Sequence, residues 1–249
     1  MKRYGLLGYP LTHSFSKRYF TEKFEKENIE STYENFEIDN IDKFPEIIKN
    51  NPEIVGLNVT IPYKEQVIPF LDELNDSAKE IGAVNTIKVK RTESGIFLKG
   101  FNTDTFGFET SLKPHLKEHH KKALILGTGG ASKALKFVLT KLGIEFISAS
   151  IEELKENEIS YESIDKKMML ERLLIINATP LGTFPKVDTF ANIPYEFISD
   201  KHLLFDLVYN PEITQFLKKG HMKGAAIKNG YEMLLQQAVK AYEIWNSKD

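Results

Sequence analysis

The sequence predicts an α/β protein made of two βα units. In the first hundred residues, short apolar runs of strand type alternate with stretches of helical period. Near residue 121 a buried strand runs straight into a glycine-rich turn and an amphipathic helix, and more apolar runs follow, separated by polar segments. This alternation is the pattern of a mostly parallel sheet covered by helices.

Along the chain, Tyr4-Gly-Leu-Leu-Gly8 is a short strand that Pro10 stops. From Ser16, Phe20 and Phe24 recur at helical spacing, and Asn28 ends that helix. Tyr33 to Ile38 reads as strand, Ile41 to Lys49 as helix and Ile54 to Thr60 as buried strand. Pro62 opens another helix, where its missing N–H costs nothing. Val84 to Val89 and Ile96 to Phe101 are strands joined by the polar turn Arg91 to Gly95. The second unit begins near Thr103, with strand Lys121 to Gly127 and a helix ended by Gly143. Strands Ile144 to Ile147, Leu173 to Asn177 and Leu203 to Val208 follow, about half of a doubly wound sheet. Glu152 to Lys167 is expected to be surface, and Tyr231 to Trp245 is the last helix.

A net charge of -2 gives no electrostatic reason to expect nucleic acid or an anionic membrane as partner. The absence of cysteine excludes disulfides, thiol catalysis and cysteine metal sites, and fits a reducing compartment. No run approaches the roughly 20 apolar residues of a membrane span, and the N-terminus lacks a signal-type apolar stretch; a cytoplasmic protein is expected. The six histidines show no metal-ligand spacing, and His119 and His120 would point apart on a helix.

Gly127-Thr128-Gly129-Gly130-Ala131 stands where a strand hands over to a helix. A pyrophosphate needs backbone N–H groups aimed at it with no Cβ in the way, which this turn supplies; a tight βα turn without a ligand is the plain alternative. Ser14 and Ser16 flank Phe15 at a helix start, as an N-cap or as donors to a carboxylate. Asn58 and Thr60 share one side of a strand end, Lys64 sits where a helix dipole mildly disfavours it, Asn85 interrupts an apolar strand and Asp104 closes another. Ligands of open α/β sheets bind beyond such strand ends.

Gly8-Tyr-Pro-Leu-Thr-His-Ser-Phe-Ser16, Asn58-Val-Thr-Ile-Pro-Tyr-Lys64, Gly82-Ala-Val-Asn-Thr86, Asn102-Thr-Asp104, Gly127 to Ala131, Asn177-Ala-Thr-Pro-Leu-Gly182, Asp206-Leu-Val-Tyr-Asn-Pro211 and Gly230-Tyr-Glu-Met-Leu-Leu-Gln-Gln-Ala238 together resemble the successive motifs of shikimate dehydrogenases. They keep the family's order over nearly the whole chain. The resemblance implies an N-terminal substrate-binding α/β domain (residues 1–103 plus 232–249), a Rossmann-type NADP-binding domain (104–231), and a C-terminal helix returning to the first domain. It implies reversible reduction of 3-dehydroshikimate to shikimate by NADPH, on the route to chorismate and the aromatic amino acids, by a monomer or homodimer. By the same resemblance Lys64 and Asp104 are the catalytic pair. Ser14 and Ser16 hold the substrate carboxylate, and Asn58, Thr60, Asn85, Tyr209 and Gln237 surround the ring. Asp76, Gly127 to Ala131, Leu207 and Gly230 match cofactor-side positions.

The chemistry agrees: hydride arriving at a ketone leaves an alkoxide, and a protonated Lys64, oriented by Asp104, supplies both proton and charge without a metal. NADP-using members carry an arginine after the second strand of the cofactor domain. Here Phe146-Ile-Ser-Ala-Ser-Ile-Glu-Glu153 holds none. The expectation is NADP use with weak discrimination against NAD, Ser148 and Ser150 donating hydrogen bonds and Lys133 or Lys155 adding charge. A quinate/shikimate dehydrogenase and a non-catalytic ligand-binding protein on the same fold are the competing readings.

Overall fold

The computed structural model describes residues 1–11, 15–93 and 95–248. Their elements, in chain order, are β1 (Lys2–Gly8), α1 (Phe15–Lys26), β2 (Ser31–Glu37), α2 (Phe44–Asn50), β3 (Ile54–Val59), α3 (Tyr63–Gln66), β4 (Glu73–Leu74), α4 (Asp76–Ile81), β5 (Thr86–Thr92) and β6 (Gly95–Phe101). Then come α5 (Asp104–Leu112), β7 (Lys122–Leu126), α6 (Gly130–Lys141), β8 (Glu145–Ser150), β9 (Glu158–Ser160), α7 (Lys166–Glu171), β10 (Leu174–Asn177), β11 (Leu203–Asp206), α8 (Gln215–His221), β12 (Ala226–Lys228) and α9 (Tyr231–Asn246). Two compact units result: Met1–Thr103 with Ala238–Asp249, and Asp104–Gln237. The division falls within α9, six residues later than the resemblance implied. Met233 packs with the second unit's core, whereas Ala238, Ala241 and Trp245 join an aromatic cluster of the first.

The first unit is built on a sheet of order β2-β1-β3-β5-β6-β4. Only β2, β1 and β3 form the parallel run that was expected; β5 runs antiparallel to β3 and β6. The cause is local: a short polar turn joins β5 to β6, and so short a connection permits only antiparallel pairing. Side chains alternate across the sheet. Leu7, Leu57 and Val59 meet Phe44, Ile48 and Val67 on one side, while Tyr4 and Leu6 meet Phe20, Phe24, Tyr33 and Trp245 on the other.

The second unit carries an all-parallel sheet of order β12-β11-β10-β7-β8-β9. It is a complete doubly wound sheet, where the sequence suggested about half. The difference lies in β9 and β12, edge strands of three residues each, too short to leave a periodic signal. β7, β10 and β11 are buried on both faces, so they read as continuous apolar runs. Ile125, Ile176 and Phe205 face the core containing Leu135 and Leu139 of α6, and Leu124, Ile175 and Leu204 face the other. Chain order reverses between β7 and β10, which places the ligand crevice of such a sheet at their carboxyl ends.

Candidate active site

In the first unit, a chain of buried polar groups crosses the carboxyl ends of β3 and β6 and the amino end of β5. Tyr33 Oη donates to Asn58 Oδ1 (2.8 Å) and also bonds the Ser16 hydroxyl. Burial pushes the Tyr33 phenol above its ordinary range, and the bond to Ser16 only partly offsets it, so Tyr33 stays a donor. Asn58 Nδ2 donates to Asn85 O (3.3 Å) and Thr86 Oγ1 (3.4 Å). Asn85 Oδ1 in turn accepts from Thr103 N (2.7 Å) and the Thr86 and Thr103 hydroxyls (3.1 Å each). Such a network fixes every rotamer in it, because each buried polar group left unpaired costs about 1–3 kcal/mol.

Ser16 lies inside α1, so it is not the helix N-cap; Ser14 lies outside the described residues. Thr60 N is held by Leu7 O (2.9 Å), and Thr60 O receives Tyr63 N (2.9 Å), turning the chain from β3 into α3. Pro62 serves as the cap residue of α3, not its first turn. Lys64, half-buried in α3, is anchored through its carbonyl by Val84 N (2.7 Å). Asp76 belongs to this unit too. It is exposed in the first turn of α4, which Asn75 caps by accepting from Ala78 N (3.1 Å).

In the second unit, Gly127 adopts φ 97°, a left-handed conformation that glycine tolerates. A Cβ there would come within 2.8 Å of the Thr179 methyl. A Cβ on Gly129 or Gly130 would meet nothing within 4 Å, so internal packing does not call for glycine at either. Gly129 caps the twelve-residue α6, whose first N–H groups are free of intrahelical partners. Open space, a helix N-terminus and missing side chains fit a dinucleotide pyrophosphate. Thr128 Oγ1 lies 3.3 Å from Ser150 Oγ, tying the turn to the end of β8.

Leu207 is half-buried after β11, Tyr209 is 38% exposed and Gly230 is buried before α9. Asp104, 7% exposed, starts α5, where the helix dipole favours a carboxylate. Gln237 is half-buried in α9, its Cβ 3.2 Å from the point a Cβ of Gly107 would occupy; Gln236 is half-buried as well.

Residues 6–87 match the model of the shikimate dehydrogenase substrate binding domain. The shikimate dehydrogenase (NADP(+)) of Clostridium beijerinckii is 39% identical over 254 residues, 98% of this chain and 92% of that protein. The chain belongs to the shikimate dehydrogenase family. Among solved structures, shikimate dehydrogenase 1 from Peptoclostridium difficile is 40% identical, with TM-score 0.82, covering 98% of this chain and 91% of that one. The shikimate 5-dehydrogenase of Thermus thermophilus, in complex with NADP(H) and shikimate, is 31% identical, with TM-score 0.83, over 99% and 94% of the two chains.

Of the two serines expected near the cofactor in this shikimate dehydrogenase family member, Ser148 is wholly buried with its hydroxyl unpartnered, and Ser150, 4% exposed, is the one whose hydroxyl meets Thr128 of the glycine turn. His119 and His120 do not point apart: they sit in a turn, ring centroids 4.5 Å apart, and both Nε2 atoms reach Lys201 O at 3.1 Å. Among the described residues no group of three or more His, Asp or Glu could hold a metal ion, and no helix is long and apolar enough to cross a membrane. Tyr33, Thr86 and Thr103 belong to the polar network without having been singled out. The two threonines lie inside motifs that carried the resemblance, whereas Tyr33 reads as an ordinary strand residue.

Proposed function

We propose that this chain catalyses the reversible NADP-dependent oxidation of shikimate to 3-dehydroshikimate. The observation that supports it most is the buried network joining Tyr33, Asn58, Asn85 and Thr103, with the half-buried Ser16 next to Tyr33, which presents hydroxyl and amide groups at strand ends beside Lys64's helix. A small ring with several hydroxyls and a carboxylate requires such a set. The relative from Thermus thermophilus holds shikimate and NADP(H) on the same fold.

A nicotinamide dinucleotide held at Gly127 to Ala131 would supply the hydride chemistry. In the direction of oxidation, Lys64 Nζ accepts the hydroxyl proton as the C–H bond breaks. In reduction, it gives the proton to the oxygen on which negative charge develops. Asp104 is assigned the carboxylate that favours the ammonium form. Ser16, with Ser14, takes the substrate carboxylate, while Asn58, Thr60, Asn85, Tyr209 and Gln237 orient the ring hydroxyls. Asp76, Leu207 and Gly230 stay assigned to the cofactor, as do Gly127 to Ala131. We place the enzyme in the cytoplasm, as a monomer or homodimer.

Steady-state assays with shikimate and quinate, each with NADP and NAD, test this reading. The highest kcat/KM is expected for shikimate with NADP. A preference for quinate would make the chain a quinate/shikimate dehydrogenase, and absence of turnover with either acid would leave a ligand-binding protein.

A further inference from the structure

Asp206, at the carboxyl end of β11, is fully buried and has no part in the chemistry above. Its Oδ1 accepts from Asn177 Nδ2 (2.9 Å) and Val208 N (3.0 Å), and its Oδ2 accepts from Thr214 Oγ1 (2.5 Å). Asn177 is its register partner at the end of β10. That amide passes the connection on: Asn177 Oδ1 accepts from Thr179 N (3.1 Å) and Thr179 Oγ1 (2.6 Å), and Thr179 Oγ1 accepts from Leu181 N (3.3 Å). The Thr179 methyl is the group that leaves no room for a side chain on Gly127. On the other flank, Leu207 N donates to Asn177 O (2.9 Å), and Gly230 N donates to Val208 O (3.2 Å). A Cβ on Gly230 would lie 2.1 Å from Leu207 O. One carboxylate therefore links the segments after β10 and β11 to the glycine turn on one side and to the start of α9 on the other.

Stability does not account for a charge at this position. Burial pushes the Asp206 carboxyl up to about 6, against the pull of Thr214, Val208 N and Asn177. An asparagine would fill the same space. Its oxygen could keep the Asn177 and Val208 donors, and its amide could donate to Thr214 Oγ1, which has a lone pair to spare beside Leu217 N. What only the carboxylate provides is charge-assisted bonding, shorter and roughly twice as strong as the neutral kind. Segments held that way occupy a narrower range of positions.

We propose that Asp206 is a positioning residue, whose carboxylate clamps segments 178–182 and 207–211 in the arrangement that receives the nicotinamide half of the cofactor. The assignment rests on the function proposed above: the two segments follow the carboxyl ends of β10 and β11, the side of such a sheet on which a dinucleotide binds.

The test compares wild type, Asp206→Asn, Thr214→Val and Thr214→Ser. The dissociation constant of NADPH is read from its fluorescence, together with KM for NADP and for shikimate and the Tm of each variant. Asp206→Asn and Thr214→Val should raise the NADPH Kd and the NADP KM by about tenfold, equivalent to about 1.4 kcal/mol, with a smaller rise in shikimate KM through Tyr209 of the second segment. Thr214→Ser, which keeps the hydroxyl, should restore both cofactor constants. An unchanged NADPH Kd in folded Asp206→Asn, whatever its Tm, overturns the proposal. Should that variant fail to fold, the contrast between Thr214→Val and Thr214→Ser decides in its place, and equal Kd values for the two overturn it. Wild type that neither binds NADPH nor turns over shikimate refutes the proposed function itself, and this assignment with it.

Discussion

Gly56 in β3 carries the indole of Trp245 directly on its Cα, and Gly56→Ala should be among the most damaging single-methyl changes in the protein. An added Cβ would stand 2.3 Å from Cδ1, 2.4 Å from Cγ and 2.5 Å from Nε1 of that ring. Ordinary carbon contacts begin near 3.5 Å, so the indole must retreat by about 1 Å. It has nowhere to go. Trp245 is 4% exposed, its Nε1 donates to Ile87 O (3.0 Å), and the rings of Tyr4, Phe20 and Tyr33 lie 4.9, 5.3 and 6.4 Å away. Overpacking costs about 1–3 kcal/mol, and losing the Ile87 bond adds about 1, giving a loss of about 2–4 kcal/mol. Trp245 is the sole tryptophan, so urea unfolding followed by its emission reports this unit alone, and a red shift of the native spectrum would show the ring displaced. Trp245→Ala removes all three clashing atoms, so by urea unfolding followed by circular dichroism the double variant should lose less than the sum of the single losses, by about 1 kcal/mol or more. A Gly56→Ala protein with native emission and a loss below about 0.5 kcal/mol, the usual size of a harmless surface change, would refute the reasoning.

Lys64→Met should lower kcat by about 100- to 10,000-fold, the range for a positioned acid–base group, with a smaller effect on KM; near-normal kcat would remove Lys64 from the mechanism. β8 gives way to Ser150-Ile151-Glu152, with Ile151 92% exposed and no arginine to grip a 2′-phosphate. The ratio of kcat/KM for NADP over NAD should therefore be about tenfold or less, and a ratio above about a thousandfold would mean another group binds the phosphate. His120 and His202 are buried, each Nδ1 accepting a backbone N–H (Lys117 N and Ser199 N, 3.0 Å each), so both rings are neutral. Burial holds both below the ordinary histidine pKa. The unfolded chain then binds more protons than the folded one below about pH 6.5, and stability of the second unit should fall as pH drops through that value. Asp206, raised to about 6, acts oppositely once it protonates, so the fall is read from Tm between pH 8 and 6; a rising or flat profile would contradict it.

What could be read beforehand followed from how strongly each element is patterned. β3, β7, β10 and β11 are buried on most positions, and such runs announce themselves as apolar blocks between breakers. The glycine turn was legible because the absence of a Cβ is visible in sequence. α5 was not, because it is buried on both sides, with Thr105, Gly107, Phe108, Ser111 and Leu112 inside, and so lacks a one-faced apolar period. α4 and α8 span six and seven residues and are announced only by their caps, Asn75 and Thr214. The stretch 152–167 looked like plain surface, yet β9 and the buried Ile164 lie within it. At the site, the motifs marked Asn58 and Asn85 but not the tyrosine that binds the first of them. Tyr33 comes from β2, across β1 from the strand of Asn58, and that pairing is a property of the sheet order, which no local window contains.

The interrupted make-up of the first unit bears on how the polypeptide emerges during synthesis. Residues 104–237 form one unbroken stretch, whereas the first unit needs residues 1–103 and 238–249. When the ribosome has delivered residue 237, the second unit is complete. The first still lacks Ala238, Ala241 and Trp245, and its cluster of Tyr4, Phe20, Phe24 and Tyr33 has no cover. The usual vectorial order, N-terminal unit first, is not open to this chain: the aromatic cluster of the first unit cannot be covered until the whole sequence of the second has been delivered.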